Sequence, residues 1–199
     1  MNLPEQLRDV PIYNFKSSFV SFSTNMTEKQ FLNAVANAES DILQSFLAML
    51  RDTDSRYCVI GGLGVNAYVD PVVSLDLDIV VIAGNVESLC SLAQSKGLSV
   101  EHFEHSVNLG SSGSDLRIQL QMDSRYQDFI SRGTERNVLG YSMKVAALED
   151  VLQGKVWAYS DETRRRSKRQ KDLADISRLV EAYPELEATL PENVSKALS

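Results

Sequence analysis

Asp76 and Asp78 stand one residue apart at the head of an apolar run, "LDLDIVVIA", and Gly61-Gly62 closes an earlier one, "YCVIGG". In a strand, residues two apart point the same way, with α-carbons about 6.6 Å apart. The two carboxylates should therefore share one face, while Leu75, Leu77 and Ile79 pack on the other. Like charges held this close resist ionising together unless a cation intervenes. Paired hard oxygens suit magnesium, which keeps several waters and takes phosphate oxygens as further ligands. Gly61-Gly62 and the helix start that follows offer backbone amides to phosphates. A phosphate cradle facing a metal is the layout for in-line phosphoryl chemistry.

Gly62 to Ala67, "GLGVNA", also matches the GxGxxA turn of a dinucleotide site. That design needs an acidic residue about 20 positions further on, at the far end of the second strand. Here only 13 residues separate Gly62 from Asp76, and Asp70-Pro71 cuts the intervening helix short. The acids open the second strand instead of ending it. Spacing thus favours the metal reading.

Other residues with reactive potential carry less. His102 and His105 lie three apart on an expected strand and face opposite sides, so they do not share a metal. Ser111, Ser112 and Ser114 have no His or Asp at useful spacing, and no hydrolase is read from them. Arg164, Arg165, Arg166, Lys168, Arg169 and Lys171 form a basic cluster, either a solvated bend or an electrostatic funnel for triphosphate or RNA. Lys155 is read as a surface lysine or a phosphate contact, and Trp157 as core.

The positioning elements follow from periodicity. "TEKQ" at Thr27 is a capping box. It opens a helix whose apolar spacing runs from Phe31 to Leu50 and stops near "DTDS". "RYCVI" is a short buried strand. Val86 to Lys96 is an amphipathic helix closed by Gly97. "LSVEHFEH" and "DLRIQLQM" read as strands, the second with Leu116, Ile118, Leu120 and Met122 opposite Arg117, Gln119 and Gln121. "NLGSSGS" between them reads as a polar loop, "RYQDFISR" as a short helix and "YSMKV" as the last strand. From Ala147 onward the pattern is helical only. The fold class is α+β: a small mixed sheet flanked by helices, with a helical C-terminal part. The expected organisation is an irregular segment over 1–26, a core over 27–146 and a helical region over 147–199.

Bulk properties exclude several classes. At 43% hydrophobic, 199 residues suffice for one domain with a proper core. The net charge of −7 argues against a general nucleic-acid or membrane binder. "MNLPEQLRDV" is not a signal peptide, and no run reaches the ~18 apolar residues of a membrane span. Two cysteines, Cys58 and Cys90, without a CxxC pair, read as buried free thiols of a reduced, cytoplasmic protein.

The strand, the Gly-Gly, the spacer and the Asp-x-Asp, "VIGG…LDLDIVV", resemble the nucleotidyltransferase superfamily, the DNA polymerase beta-like fold. More narrowly, "VAALEDVLQGKVWAYSDETRRRSKRQKDLADISRL" is similar to bacterial nucleotidyltransferases grouped with the type IV toxin–antitoxin toxins (AbiEii-like). The resemblance spans about residues 57–180. It implies that Gly61 and Gly62 hold a triphosphate and that Asp76 and Asp78 bind Mg2+ or Mn2+. Ser74, Lys155 and Lys171 are implied as nucleotide-binding, with Asp172 beside Lys171. The implied partners are an NTP, an acceptor of unknown kind (tRNA, protein or small molecule) and, for a toxin, an antitoxin protein. Two positions depart from the pattern. Relatives often carry Arg four before the first Asp, where this chain has Val72. Active members usually carry a third carboxylate on a later strand, where this chain has Gln119; Asp115 and Asp123 lie at that strand's ends. Glutamine cannot serve as a base. The implied function is metal-dependent transfer of NMP to an acceptor hydroxyl. The alternative is an impaired protein of the same fold that binds nucleotide or a partner without turnover.

Overall fold

The computed structural model describes residues 26–198. The irregular segment expected over 1–26 lies, but for Met26, outside the described residues.

Two helices open the described chain, α1 (Glu28–Val35) and α2 (Ile42–Asp52). The capping box is present: Thr27 accepts from the Gln30 amide, and Gln30 reaches back to the Thr27 amide at 2.9 Å. The single helix expected from Thr27 to "DTDS" is in fact interrupted. Asn37 takes a left-handed φ of 48°, a conformation Asn tolerates better than most residues. The linker is pinned elsewhere: the Glu39 amide donates to the Gly113 carbonyl at 2.9 Å, and the Asp115 amide to the Ala36 carbonyl at 2.7 Å.

Seven strands follow: β1 (Tyr57–Ile60), β2 (Asp76–Val81), β3 (Ser99–His102), β4 (Ser106–Ser111), β5 (Ser114–Gln121), β6 (Thr134–Val138) and β7 (Tyr141–Val145). They form one mixed sheet in the order β3-β4-β5-β2-β1-β7-β6. β1 runs antiparallel to β2 and parallel to β7, and β2 runs parallel to β5. An adjacent antiparallel β1–β2 pair is incompatible with a dinucleotide βαβ unit, which needs parallel strands. "NLGSSGS" is not a loop as expected: most of it belongs to β4, paired on both sides. β6 was not expected.

Register makes the two faces of β2, β5 and β4 different. Leu77 pairs with Ile118 and Ile118 with Leu109, while Ile79 pairs with Leu120 and Leu120 with Val107, and all six are buried. The alternate positions give Asp76 beside Arg117 and a row of Asp78, Gln119 and Asn108. Helix α2 buries Phe46, Leu47, Met49 and Leu50, and α4 (Val86–Ser95) buries Leu89 and Ala93. Two short helices, α3 (Gly61–Val65) and α5 (Phe129–Arg132), join strands. The chain ends in α6 (Leu148–Ser160), α7 (Arg166–Ala182) and α8 (Glu192–Leu198), as the pattern after Ala147 predicts. Among the described residues, no helix is long and apolar enough to cross a membrane.

Candidate active site

β1 ends at Ile60, which pairs with Asp78 on β2. The next residue, Gly61, has φ of 65°, a conformation side-chain-bearing residues avoid. A β-carbon there would sit 2.8 Å from the Asp78 Cβ and closer still to its Oδ2. A β-carbon on Gly62 would lie 3.1 Å from the Ser74 hydroxyl. The twin glycines thus let the turn close onto the strand carrying the two acids. α3 has only five residues, so its dipole is slight, and the positive groups that border the cleft are side chains: Arg117, Lys155, Arg164, Lys168 and Lys171.

Asp76 Oδ1 accepts from Arg117 Nη2 at 2.7 Å, and Lys168 Nζ lies 3.7 Å from Oδ2. The buried Ser74 donates to the Asp76 carbonyl at 3.3 Å. Asp78 lines the cleft but is closely surrounded by protein. Burial pushes its carboxyl above the usual range; Lys155 opposes this and Asp76 adds to it.

Lys155 is buried and not on the surface. Its Nζ lies 3.0 Å from Asp172 Oδ1 and 2.6 Å from Asp175 Oδ2. Burial favours the neutral amine, but Asp175 and Asp172 more than offset it, so the ammonium is held above its ordinary pKa. Arg164 Nε donates to the other Asp172 oxygen at 3.0 Å, and Arg178 Nη1 to Asp175 at 2.9 Å. The same Arg178 reaches the Asp70 carbonyl and Asn66, and Asn66 clamps Val72 through both its backbone groups. This network ties α6 and α7 to the loop leading into Ser74 and Asp76. Val72, at the position where the resemblance implies Arg, is 53% exposed.

The cleft has two lobes, of about 100 and 150 Å3. One is lined by Gly61, Asp78, Gln119 and Lys155, the other by Gly62, Ser74, Asp76, Asp78, Lys155 and Lys171. All seven residues singled out from sequence therefore border one cleft. Gln119 lies beside Asp78 in register, with an amide where the resemblance implies a third carboxylate. Asp172 also borders both lobes. Asp115 bonds to Asn37 and Asp123 to Arg125, so neither is turned to the pair. Arg117 was missed, although alternation along β5 had put it on Gln119's face. A wider hollow of about 590 Å3 shares Gln121, Tyr126, Ala158 and Arg164 with the first lobe. Trp157 borders it, stacked on Phe129 with centroids 5.8 Å apart and capped by Arg125 at 5.2 Å.

Among the described residues, no group of three His, Cys, Asp or Glu is placed to hold a metal. Asp76 and Asp78 nonetheless fit a magnesium ion that takes its remaining ligands from water and phosphate. Burial chiefly raises the Asp78 pKa and Asp76 adds to it, and a cation between the two carboxylates would offset both effects. Cys58 and Cys90 are buried free thiols.

No protein-family model and no curated protein sequence matches the chain. Solved structures do. The antibiotic-resistance factor ANT(2'')-Ia, in complex with adenylyl-2''-tobramycin, aligns with a TM-score of 0.58 at 13% identity, over 79% of this chain and 94% of that one. The lincomycin-bound lincosamide antibiotic adenylyltransferase LnuA aligns at 0.51 and 13% identity, over 72% and 99%. An antigenic nucleotidyltransferase-like protein from Paracoccidioides brasiliensis aligns at 0.51 and 18% identity, over 84% and 85%. At these identities the likeness is one of architecture: a mixed sheet flanked by helices and finished by a helical C-terminal part, the nucleotidyltransferase-like fold.

Proposed function

We propose that this chain is a metal-dependent nucleotidyltransferase that moves an NMP from an NTP to an acceptor hydroxyl and releases pyrophosphate. The observation that carries the reading is the contact of Gly61 with Asp78, which puts a side-chain-free turn against a carboxylate pair. Asp76 and Asp78 would hold Mg2+ or Mn2+. The bound ion would supply Lewis-acid polarisation of the α-phosphate and neutralise developing charge. The backbone of Gly61 and Gly62 would orient the β- and γ-phosphates, with Ser74 fixing the start of β2 behind them. Lys171 and Lys168 would meet phosphate oxygens. Lys155 would serve chiefly by locking α6 to α7 and by lending its positive field to Asp78. The acceptor remains a tRNA, a protein or a small molecule, and the wide hollow beside Trp157 is where it would enter.

A second reading is favoured by Gln119 and by the Arg117–Asp76 pair. Gln119 cannot take the acceptor's proton. Such a protein would bind nucleotide, or a partner protein, without turnover. The narrower kinship with AbiEii-like toxins rests on "LED", Lys155 and "KDLADI". Growth arrest on expression, relieved by a co-expressed antitoxin, would test it. Buried free thiols favour a cytoplasmic setting.

Incubation with α-labelled NTPs and pools of RNA, protein and small molecules separates the two main readings. Transfer of label with release of pyrophosphate, lost in the Asp76→Asn, Asp78→Asn double variant, supports the enzyme. Nucleotide binding without pyrophosphate across all pools supports the non-catalytic reading.

A further inference from the structure

We propose that Arg117 is a built-in counter-ion that holds Asp76 while the site is empty and passes to phosphate when metal and nucleotide arrive. The inference rests on the reading that Asp76 and Asp78 are the metal ligands.

Register sets up the pair. β2 and β5 run parallel with Asp76 directly beside Arg117, and both side chains project on the cleft face. Arg117 Nη2 donates to Asp76 Oδ1 at 2.7 Å. From α7, Lys168 Nζ approaches the other oxygen at 3.7 Å. Both Asp76 oxygens thus already face a cation. A divalent ion held by Asp76 and Asp78 would compete with these resident cations for the Asp76 carboxylate, and most directly with Arg117, the one within hydrogen-bond distance. The side chains of Arg117 and Asp76 are 46% and 28% exposed. An ion pair open to water in this way is weak, and a doubly charged ion can dislodge it. Lys155 and its two aspartates are buried and joined by two ion pairs, so they do not exchange as readily.

The freed guanidinium has a destination. Arg117 borders the same lobe as Arg164, Lys168 and Lys171. Its planar fork matches phosphate oxygens better than a lysine does. Displacement by metal makes Arg117 available to phosphate, and capture by phosphate clears Asp76 for metal. Metal and nucleotide should therefore bind with positive coupling that runs through this one side chain.

The test is Mn2+ binding followed by electron paramagnetic resonance, without nucleotide and then with a non-hydrolysable NTP. Arg117→Gln should bind Mn2+ alone about fivefold more tightly than wild type. It should bind the NTP about tenfold more weakly in the presence of metal, so the coupling shrinks. Arg117→Lys should fall between. Lys171→Gln removes the same charge from the same lobe without touching Asp76, and should change Mn2+ affinity less than twofold. Asp76→Asn should abolish Mn2+ binding in every background. If Arg117→Gln and Lys171→Gln shift Mn2+ affinity equally, Arg117 acts only through the general field, and the proposal falls while the metal assignment stands. If Mn2+ binding is indifferent to Asp76→Asn, both fall together.

Discussion

Gly61→Ala tests the contact on which the site is built. The added methyl meets two costs. Its φ of 65° is left-handed, which costs a side-chain-bearing residue about 1–2 kcal/mol. The new β-carbon would also lie 2.8 Å from both Cβ and Cγ of Asp78. Rotating the carboxylate can move its oxygen but not the Asp78 Cβ, so strand and turn must separate. Overpacking of this kind costs about 1–3 kcal/mol. The sum is about 2–5 kcal/mol. At about 2–4 °C per kcal/mol for a chain of this size, the melting point should fall by roughly 4–20 °C. Trp157, the sole tryptophan, packs on Phe129 and Tyr126 and reports unfolding by fluorescence in urea. The same change made in an Asp78→Gly background removes every Asp78 atom the methyl would strike. There it should cost only the backbone strain, leaving a coupling of about 1–3 kcal/mol between the two sites. Additive effects within about 0.5 kcal/mol, or a Gly61→Ala cost below 1 kcal/mol, would refute the reasoning.

Two further changes probe the charges. Burial raises the Asp78 pKa above the unfolded value, so its protonated form contributes stability that is complete below about pH 3.9 and is lost as pH rises through the folded-state pKa. Asp78→Asn should therefore raise the metal-free melting point at pH 7 by roughly 1–8 °C, for about 0.5–2 kcal/mol, and gain nothing near pH 3.5; a fall at pH 7 would contradict this. Lys155→Met strands Asp172 and Asp175, which among the described residues keep Arg164 and Arg178 as ion-pair partners. It should cost about 3 kcal/mol in urea titrations and be relieved by adding Asp172→Asn and Asp175→Asn; a cost under 1 kcal/mol would show the triad to be incidental.

Alternation made the central sheet readable. Leu116, Ile118 and Leu120 predict the buried face of β5, and the two aspartates predict the shared face of β2. β4 escaped because its outward residues, Ser106, Asn108 and Gly110, look like a loop when only Val107 and Leu109 are apolar. Those polar residues lie half-buried on the face opposite Val107 and Leu109, a placement that local composition does not reveal. β6 escaped for a related reason: "TERNV" buries only Val138 and is an edge strand. The linker between α1 and α2 is held by hydrogen bonds to Gly113 and Asp115, partners far away in sequence. The site shows the same division. Spacing along one strand announces Asp76 and Asp78. The burial of Lys155 depends on two aspartates from another helix, and the lock on Asp76 depends on a register between strands far apart in sequence.

Calorimetric titration with a non-hydrolysable NTP tests the central claim most directly. Wild type should bind the nucleotide with Mg2+ and lose at least tenfold in affinity when EDTA removes the metal, and the Asp76→Asn, Asp78→Asn variant should bind weakly under both conditions. Equal binding by wild type and variant, or binding indifferent to metal, would contradict the account.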